Sequence, residues 1–477
     1  MISQATTLAL VAAFGAAMFA TSAVRRKSAN MDRFLVAGRS VGTATGALSV
    51  ASTWIWAPAL FLAAQKAYQQ GLPGLLWFTV PNVGCLVLFA FVARRIRQVF
   101  PRGYTLPEYI AHRFDARTHL IYLFCFLSLQ VCSLAVQLIA GAAMLDAMSG
   151  IPYVWGVLLL VVMFTSYSLL EGLSSSIRTD LVQMLVMGAG MAAVVAPAVA
   201  KAGGTEALAA GLAGFNGAYG NPLDLHVAYT FGITVTIGLM SGPVGDQQHW
   251  QRAFAFAEGK VFKGYVLGAF IFALVPLTMG LLGFVAAGLP EAAPDVRSGA
   301  VSAQQVGPEV IRALLPSWAT MVFMVMILSG LASTGDSALC AGGGLAAVDI
   351  YQRYLRPETA RDDMVRVSRA AMLILAVLAT GIALVPGITI LSLFLFYGTL
   401  RSSTFLPTLL LLYREDATAA GIFRGVAAAV VFGLPVYLAG ELAGNVHLKV
   451  AANVGILILS LACPLWAMRK GRNKKTV

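Results

Sequence analysis

Apolar stretches of about twenty residues recur along the whole of this 477-residue chain. Each is long enough to cross a hydrocarbon core about 30 Å thick. No water reaches that core to satisfy backbone N–H and C=O groups, so only α-helices and closed barrels span it. Barrel strands would show ten-residue alternation. Continuous apolar runs select helices instead. Charged residues make up 11% of the chain, where a soluble domain carries about 25%. The net charge of +12 does not point to nucleic acid, because the positive-inside rule accounts for where the basic residues fall. The five cysteines form no CxxC pair and all lie in predicted spans, which suits packing rather than disulfides or zinc.

The hydropathy predicts a leading helix at about 4–24, then ten core helices. These lie near 40–66, 72–99, 117–147, 151–171, 176–201, 227–254, 261–288, 317–353, 365–387 and 389–413. Two peripheral helices follow near 419–440 and 447–468. In the leading segment the charges Arg25, Arg26 and Lys27 come after the apolar run, which fits a retained helix and not a cleaved signal. "ARRIRQVFPR" after core two, Lys260 and Lys263 after core six, the five arginines of 351–369 and the basic tail all fall on one side. The loops 202–226 and 289–306 on the other side hold a single Lys or Arg, Arg297. The expected protein is therefore a multi-pass cell-membrane protein of thirteen spans, N-terminus outside and C-terminus cytoplasmic.

Core one contains "STWIWAPALF" with Pro58 in mid-span, and core six contains "LMSGPVGDQQHW". These breaks sit five helices apart, so the two halves have opposite topology. Paired broken helices in inverted repeats place a transporter's binding site near the bilayer midplane. The expected organisation is a leading helix (1–30), a five-helix repeat (31–205), its inverted partner (206–415), and two peripheral helices with a basic tail (416–477).

Core eight carries "LSGLASTGDSALCAGGG" from Leu328 to Gly344. At about 100° per residue, Ser333, Thr334 and Ser337 share a face with Gly330, and Asp336 lies at its edge. Hard oxygens suit a hard cation such as Na⁺. The alternative is that the hydroxyls bond their own helix and pack it. Asp180, about one turn into core five, is a second candidate ligand or else a surface carboxylate paired with Arg178. Arg401 lies thirteen residues from Arg414, roughly 20 Å deep. An arginine at that depth is a functional candidate. Pairing with Asp246, lining a vestibule and holding a substrate carboxylate all stay open for it.

These residues carry a resemblance. "FLVAGRSVG" before core one, "RTDLVQ" in core five, "GDQQHWQRAFA" in core six and "ASTGDSAL" in core eight resemble, in order, segments of the sodium:solute symporter family. The resemblance implies a leucine-transporter-like fold with Na⁺ held between core one and core eight. Its ligand positions fall on Ser52, Ile55, Gly330, Ser333 and Thr334. In some members a core-five acid and further core-eight hydroxyls hold a second sodium, which here implicates Asp180, Ser333 and Ser337, with Asp336 alongside. The paired tryptophans and "AYQQG" look most like the urea-transporter branch. A flat solute rich in donors and acceptors needs aromatic faces and a few polar groups. Trp54, Trp56, Gln137, Asp246 and Gln247 are the candidates, with Arg401 beside them and His249 as a gating residue.

The expected function is sodium-coupled import of a small polar solute by alternating access, with no enzymatic role. The alternatives are an amino-acid or carboxylate symporter of the same fold, a proton-coupled carrier, and a sensory membrane domain. A membrane enzyme would want a nucleophile–base pair or an HExxH-type ligand set, and neither is present in the sequence. The partners expected are the solute and the lipid bilayer.

Overall fold

The computed structural model describes residues 2–23, 30–358, 361–388 and 390–473. It is 84% helical and has no strands among the described residues. Among the described residues ten helices are long and apolar enough to cross a membrane, so the chain is a multi-pass membrane protein. Three expected spans fall outside that set as separate helices. Core one and core two share the 43-residue stretch Ala57–Val99, core six is in short pieces, and core ten is the helix Ile390–Tyr413.

The breaks have local causes. Core one stops at Trp54, and Ile55 (φ −85°, ψ 85°) leaves helical geometry. The helix restarts at Ala57. Pro58 therefore opens a half-helix and does not kink a whole one, at a position where a missing N–H costs nothing. Its neighbour's orphan donor, the Ala57 N–H, bonds the Gln137 Oε1 at 3.1 Å. The second break is at Gly71 (φ 59°, ψ −150°). A side chain there would meet the Leu212 carbonyl, and only glycine tolerates both the angle and the approach. Core six runs from Leu225 to Met240, unwinds from Ser241 to Asp246, and resumes as Gln247–Ala255. Asp246 caps the second piece by accepting from the Gln248 N–H at 3.0 Å.

Charged loops gather at one end of the bundle. Arg97 donates to the Phe254 and Phe256 carbonyls, Arg95 to Leu412, Arg113 to Leu411 and Arg414, and Arg353 to Ala111. At the other end, segment 2–4 bonds segment 148–150 through Ile2 to Met148 and Gln4 to Gly150, and segment 68–72 bonds segment 212–215 through Leu72 to Leu212 and Phe215 to Tyr68. This matches the sorting of basic loops that the sequence predicts. The cluster Arg25, Arg26 and Lys27 lies outside the described residues, as do the last four residues of the tail.

A short helix, Leu106–Arg113, lies at the basic end. Thr105 Oγ1 accepts from the Glu108 N–H at 3.0 Å, and Glu108 returns a bond to the Tyr104 N–H at 2.7 Å, a capping-box exchange. Thr105 also donates to Asp349, whose other oxygen meets His119 at 3.1 Å. Burial pushes the Glu108 carboxyl up to about 7, with the nearby Asp349 charge adding to it and the Tyr104 N–H opposing it. Between the ordinary carboxylate range and about 7, the folded chain holds a proton that the unfolded chain has lost. Stability therefore falls as pH rises through that window. Glu108→Gln is expected to remove up to about 3 kcal/mol of this slope between pH 5 and 8, read by thermal unfolding of detergent-purified protein. Parallel curves for the two proteins would contradict it.

Candidate functional site

The break in core one exposes carbonyls, because the last turn of a helix leaves its C=O groups without intrahelical donors. Ile55 N–H turns back to the Ala51 and Ser52 carbonyls, both at 3.1 Å. The Thr53 and Ile55 carbonyls instead accept from the Thr334 hydroxyl, each at 3.2 Å. Gly330, one turn earlier on core eight, lies against Ile55. Ser52 donates to Ser333 at 2.7 Å. Ser52, Ile55, Ser333 and Thr334 are thus brought together, buried, as a cluster of neutral oxygens, with Gly330 packed against Ile55.

Beside it lies a charged cluster. Asp180 is fully buried. It accepts from Ser333 and from Ser49, both at 2.5 Å, and pairs with Arg252 at 3.0 Å. Its sequence neighbour Arg178 is not its partner; that side chain pairs with Glu171. The Arg252 guanidinium also bonds Ser49 at 2.9 Å and Ser337 at 2.7 Å. Asp336 accepts from Ser176 at 2.7 Å, Ser337 at 3.2 Å and Thr179 at 3.3 Å. The core-eight hydroxyls therefore divide: Thr334 faces the neutral cluster, Ser337 faces the charged one, and Ser333 joins the two.

A third group sits at the core-six break. Arg401 and Asp246 form a buried ion pair at 2.8 Å, one of the three options the sequence leaves open. Gln130 donates to the other Asp246 oxygen at 3.1 Å. Gly245 lets the two segments meet, since a side chain there would lie 2.7 Å from the Arg401 Cα. The guanidinium lies over Tyr397, Trp54 and Trp56, at 4.7, 5.6 and 5.7 Å from their ring centroids. His249 packs edge-on against Trp54 at 5.0 Å. The Trp54 and Trp56 indole N–H groups, Arg401 Nε, His249 Nδ1 and Gln130 Oε1 are buried and have no hydrogen-bond partner among the described residues. That mixture of donors and an acceptor suits a small polar ligand with both. Phe394, 5.1 Å from Trp56, also walls cavities at the less charged end of the bundle.

Two candidate residues sit differently from the sequence reading. Gln247 turns away from the tryptophans: its amide bonds the Tyr104 carbonyl and the Leu106 N–H, fastening core six to the loop after core two. At the first position of a half-helix the side chain follows the capping turn, which spacing alone does not reveal. Gln137 caps Ala57, so it shapes the break while lying beside it. Sequence reasoning missed Arg252, Ser49, Ser176 and Gln130. Arg252 lies two residues from the end of the predicted span 227–254, where a basic residue reads as an ordinary helix-end charge.

Comparisons with known proteins agree with this architecture. The chain is 27% identical to the urea-proton symporter DUR3 of Oryza sativa subsp. japonica, over 92% of its own length and 66% of that protein's. It thus spans slightly less than two thirds of that relative. It is 26% identical to the sodium/pantothenate symporter of Escherichia coli (strain K12), over 97% of its length and 95% of that protein's. These relatives are transporters, not enzymes. Its fold matches a substrate-bound, outward-open structure of a Na⁺-coupled sialic acid symporter with a TM-score of 0.78 at 16% identity, covering 96% of this chain and 97% of the other. The fold is the leucine-transporter-like one, two five-helix inverted repeats with broken first and sixth core helices. With a family model matching residues 34–428, the four sequence segments and the paired helix breaks resolve to one conclusion: the chain belongs to the sodium:solute symporter family.

Proposed function

We propose that this protein imports a small neutral amide-type solute, urea being the first candidate, by coupling it to inward Na⁺ movement. The observation that carries the solute class is the set of unpartnered donors on Trp54, Trp56 and Arg401, with an unpartnered acceptor on Gln130, which shares Asp246 with Arg401. A carboxylate would use the donors and leave Gln130 Oε1 unmatched. The ion pair with Asp246 already satisfies one face of the Arg401 charge. Similarity to a urea-proton symporter supports the solute class, while its proton coupling favours the second reading given below. The neutral oxygens of Ser52, Ile55, Gly330, Ser333 and Thr334 form the sodium site in this reading, which rests on their hard-donor chemistry. Asp180, Asp336 and Ser337 form a second cation site only if Arg252 leaves it, so one Na⁺ per solute is the stoichiometry we favour. In this reading the N-terminus lies outside and the C-terminus in the cytoplasm, which the distribution of basic loop residues supports.

Uptake into proteoliposomes with imposed Na⁺ or H⁺ gradients, across urea, proline and small carboxylates, tests this. Concentrative urea uptake driven by Na⁺ is the expected result. The second reading, proton coupling through the buried acids Asp180 and Asp336, predicts uptake driven by a pH gradient in the absence of Na⁺. Ser333→Ala with Thr334→Ala is expected to raise the sodium concentration for half-maximal uptake at least tenfold, about 1.4 kcal/mol of ion binding. An unchanged sodium dependence would sink the site.

A further inference from the structure

A concavity at the basic end has no place in transport as described. It is a hollow of about 720 Å³ between the end of core two and the start of core seven, lined by Arg94, Arg97, Pro101, Glu258, Phe262 and Lys263 among others. Three cations face one acid, and exposed Lys260 adds a fourth nearby. Arg97 is fastened by bonds to the Pro101, Phe254 and Phe256 carbonyls. Arg94 and Lys263 are exposed and form no ion pair with a described residue.

The hollow continues into an apolar track. Lys263, Leu267, Phe270, Leu274 and Leu277 recur at steps of four and three along Val261–Gly288, one face of that helix. Those four apolar side chains are 43%, 61%, 61% and 42% exposed. From Leu267 to Leu277 the helix rises about 15 Å, half the thickness of a hydrocarbon core and so about one leaflet. Phe91, itself exposed, packs edge-on against Phe262 at 5.0 Å and closes the corner between head and track.

We propose that this hollow binds the headgroup phosphate of an anionic phospholipid, with an acyl chain lying along Leu267, Phe270, Leu274 and Leu277. Charge complementarity selects the headgroup, because a basic pocket at the cytoplasmic leaflet attracts anionic lipid. The apolar track selects a lipid over free phosphate. Arg97 ties core two to the end of core six, so an anion held here would brace the two elements together.

The test is thermal unfolding of the full purified chain in neutral detergent, titrated with dioctanoyl phosphatidylglycerol, dioctanoyl phosphatidylcholine or inorganic phosphate. Phosphatidylglycerol is expected to stabilise saturably, and Arg94→Gln with Lys263→Gln to weaken its apparent affinity about tenfold or more. The parent's affinity should also fall as potassium chloride rises from about 50 to 500 mM, a readout that needs no variant. Equal stabilisation by phosphatidylcholine means ordinary annular lipid and overturns the proposal. So does full stabilisation by phosphate alone, an unchanged affinity in the double variant, or indifference to salt.

Discussion

Arg252→Leu is expected to destabilise the protein by about 3–5 kcal/mol, among the largest effects of any single substitution. The guanidinium is 2% exposed and contacts Asp180, Ser49, Ser337 and Ser176. Removing it leaves Asp180 and Asp336 buried side by side with no cation between them. An uncompensated buried charge is worse than a buried pair, so Arg252→Leu with Asp180→Asn should recover roughly half of the loss. The single variant should also gain a sodium-dependent rise in melting temperature, because Na⁺ can supply the missing charge. Denaturation in detergent with sodium or potassium salts checks all three. A loss below about 1 kcal/mol would mean that the acids adapt without a cation.

Arg401→Gln is expected to lower solute uptake by about a hundredfold, near 2.7 kcal/mol, while leaving sodium-induced stabilisation intact. Glutamine can still bond Asp246, but it carries no charge and presents no plane to the tryptophan and tyrosine faces. The two sites are separate clusters in the structure, which is why the solute and ion readouts should part. Radiolabelled uptake and sodium-dependent melting, measured on the same preparation, decide it. Uptake within about threefold of the parent would make Arg401 a tie between core six and core ten and nothing more.

Much of this architecture was legible because membrane helices announce themselves. The spans follow from apolar length, the sidedness of the loops from charge, and the two breaks from Pro58 and from Gly242 to Gly245. The core-eight hydroxyls were legible as a strip because helical geometry fixes which residues share a face. Partners across the fold were not. Arg252 reads as one more basic residue near a helix end, and its acid lies 72 positions earlier in the chain. Gln247 looked like Asp246's companion, yet a capping turn sends neighbours in different directions. Local periodicity carries information over a few turns; which distant side chain fills the space opposite depends on how whole helices pack.

The position of Ser333 has a consequence for how the charge of Asp180 reaches the neutral oxygens. A serine hydroxyl owns a single proton. Asp180, paired with Arg252, accepts; Ser333 therefore gives its proton to Asp180 at 2.5 Å, and Ser52 gives its own to Ser333 at 2.7 Å. The hydroxyls form a one-way relay pointing from the broken helix toward the carboxylate. A relay of this kind polarises each oxygen it passes through. The Ser333 oxygen becomes more electron-rich as it donates to Asp180, on the side where it accepts from Ser52. With Ser333 as a ligand of the sodium site proposed above, a buried acid lends negative character to a cation it never touches, and Ser333→Ala silences the acid as well as deleting that ligand.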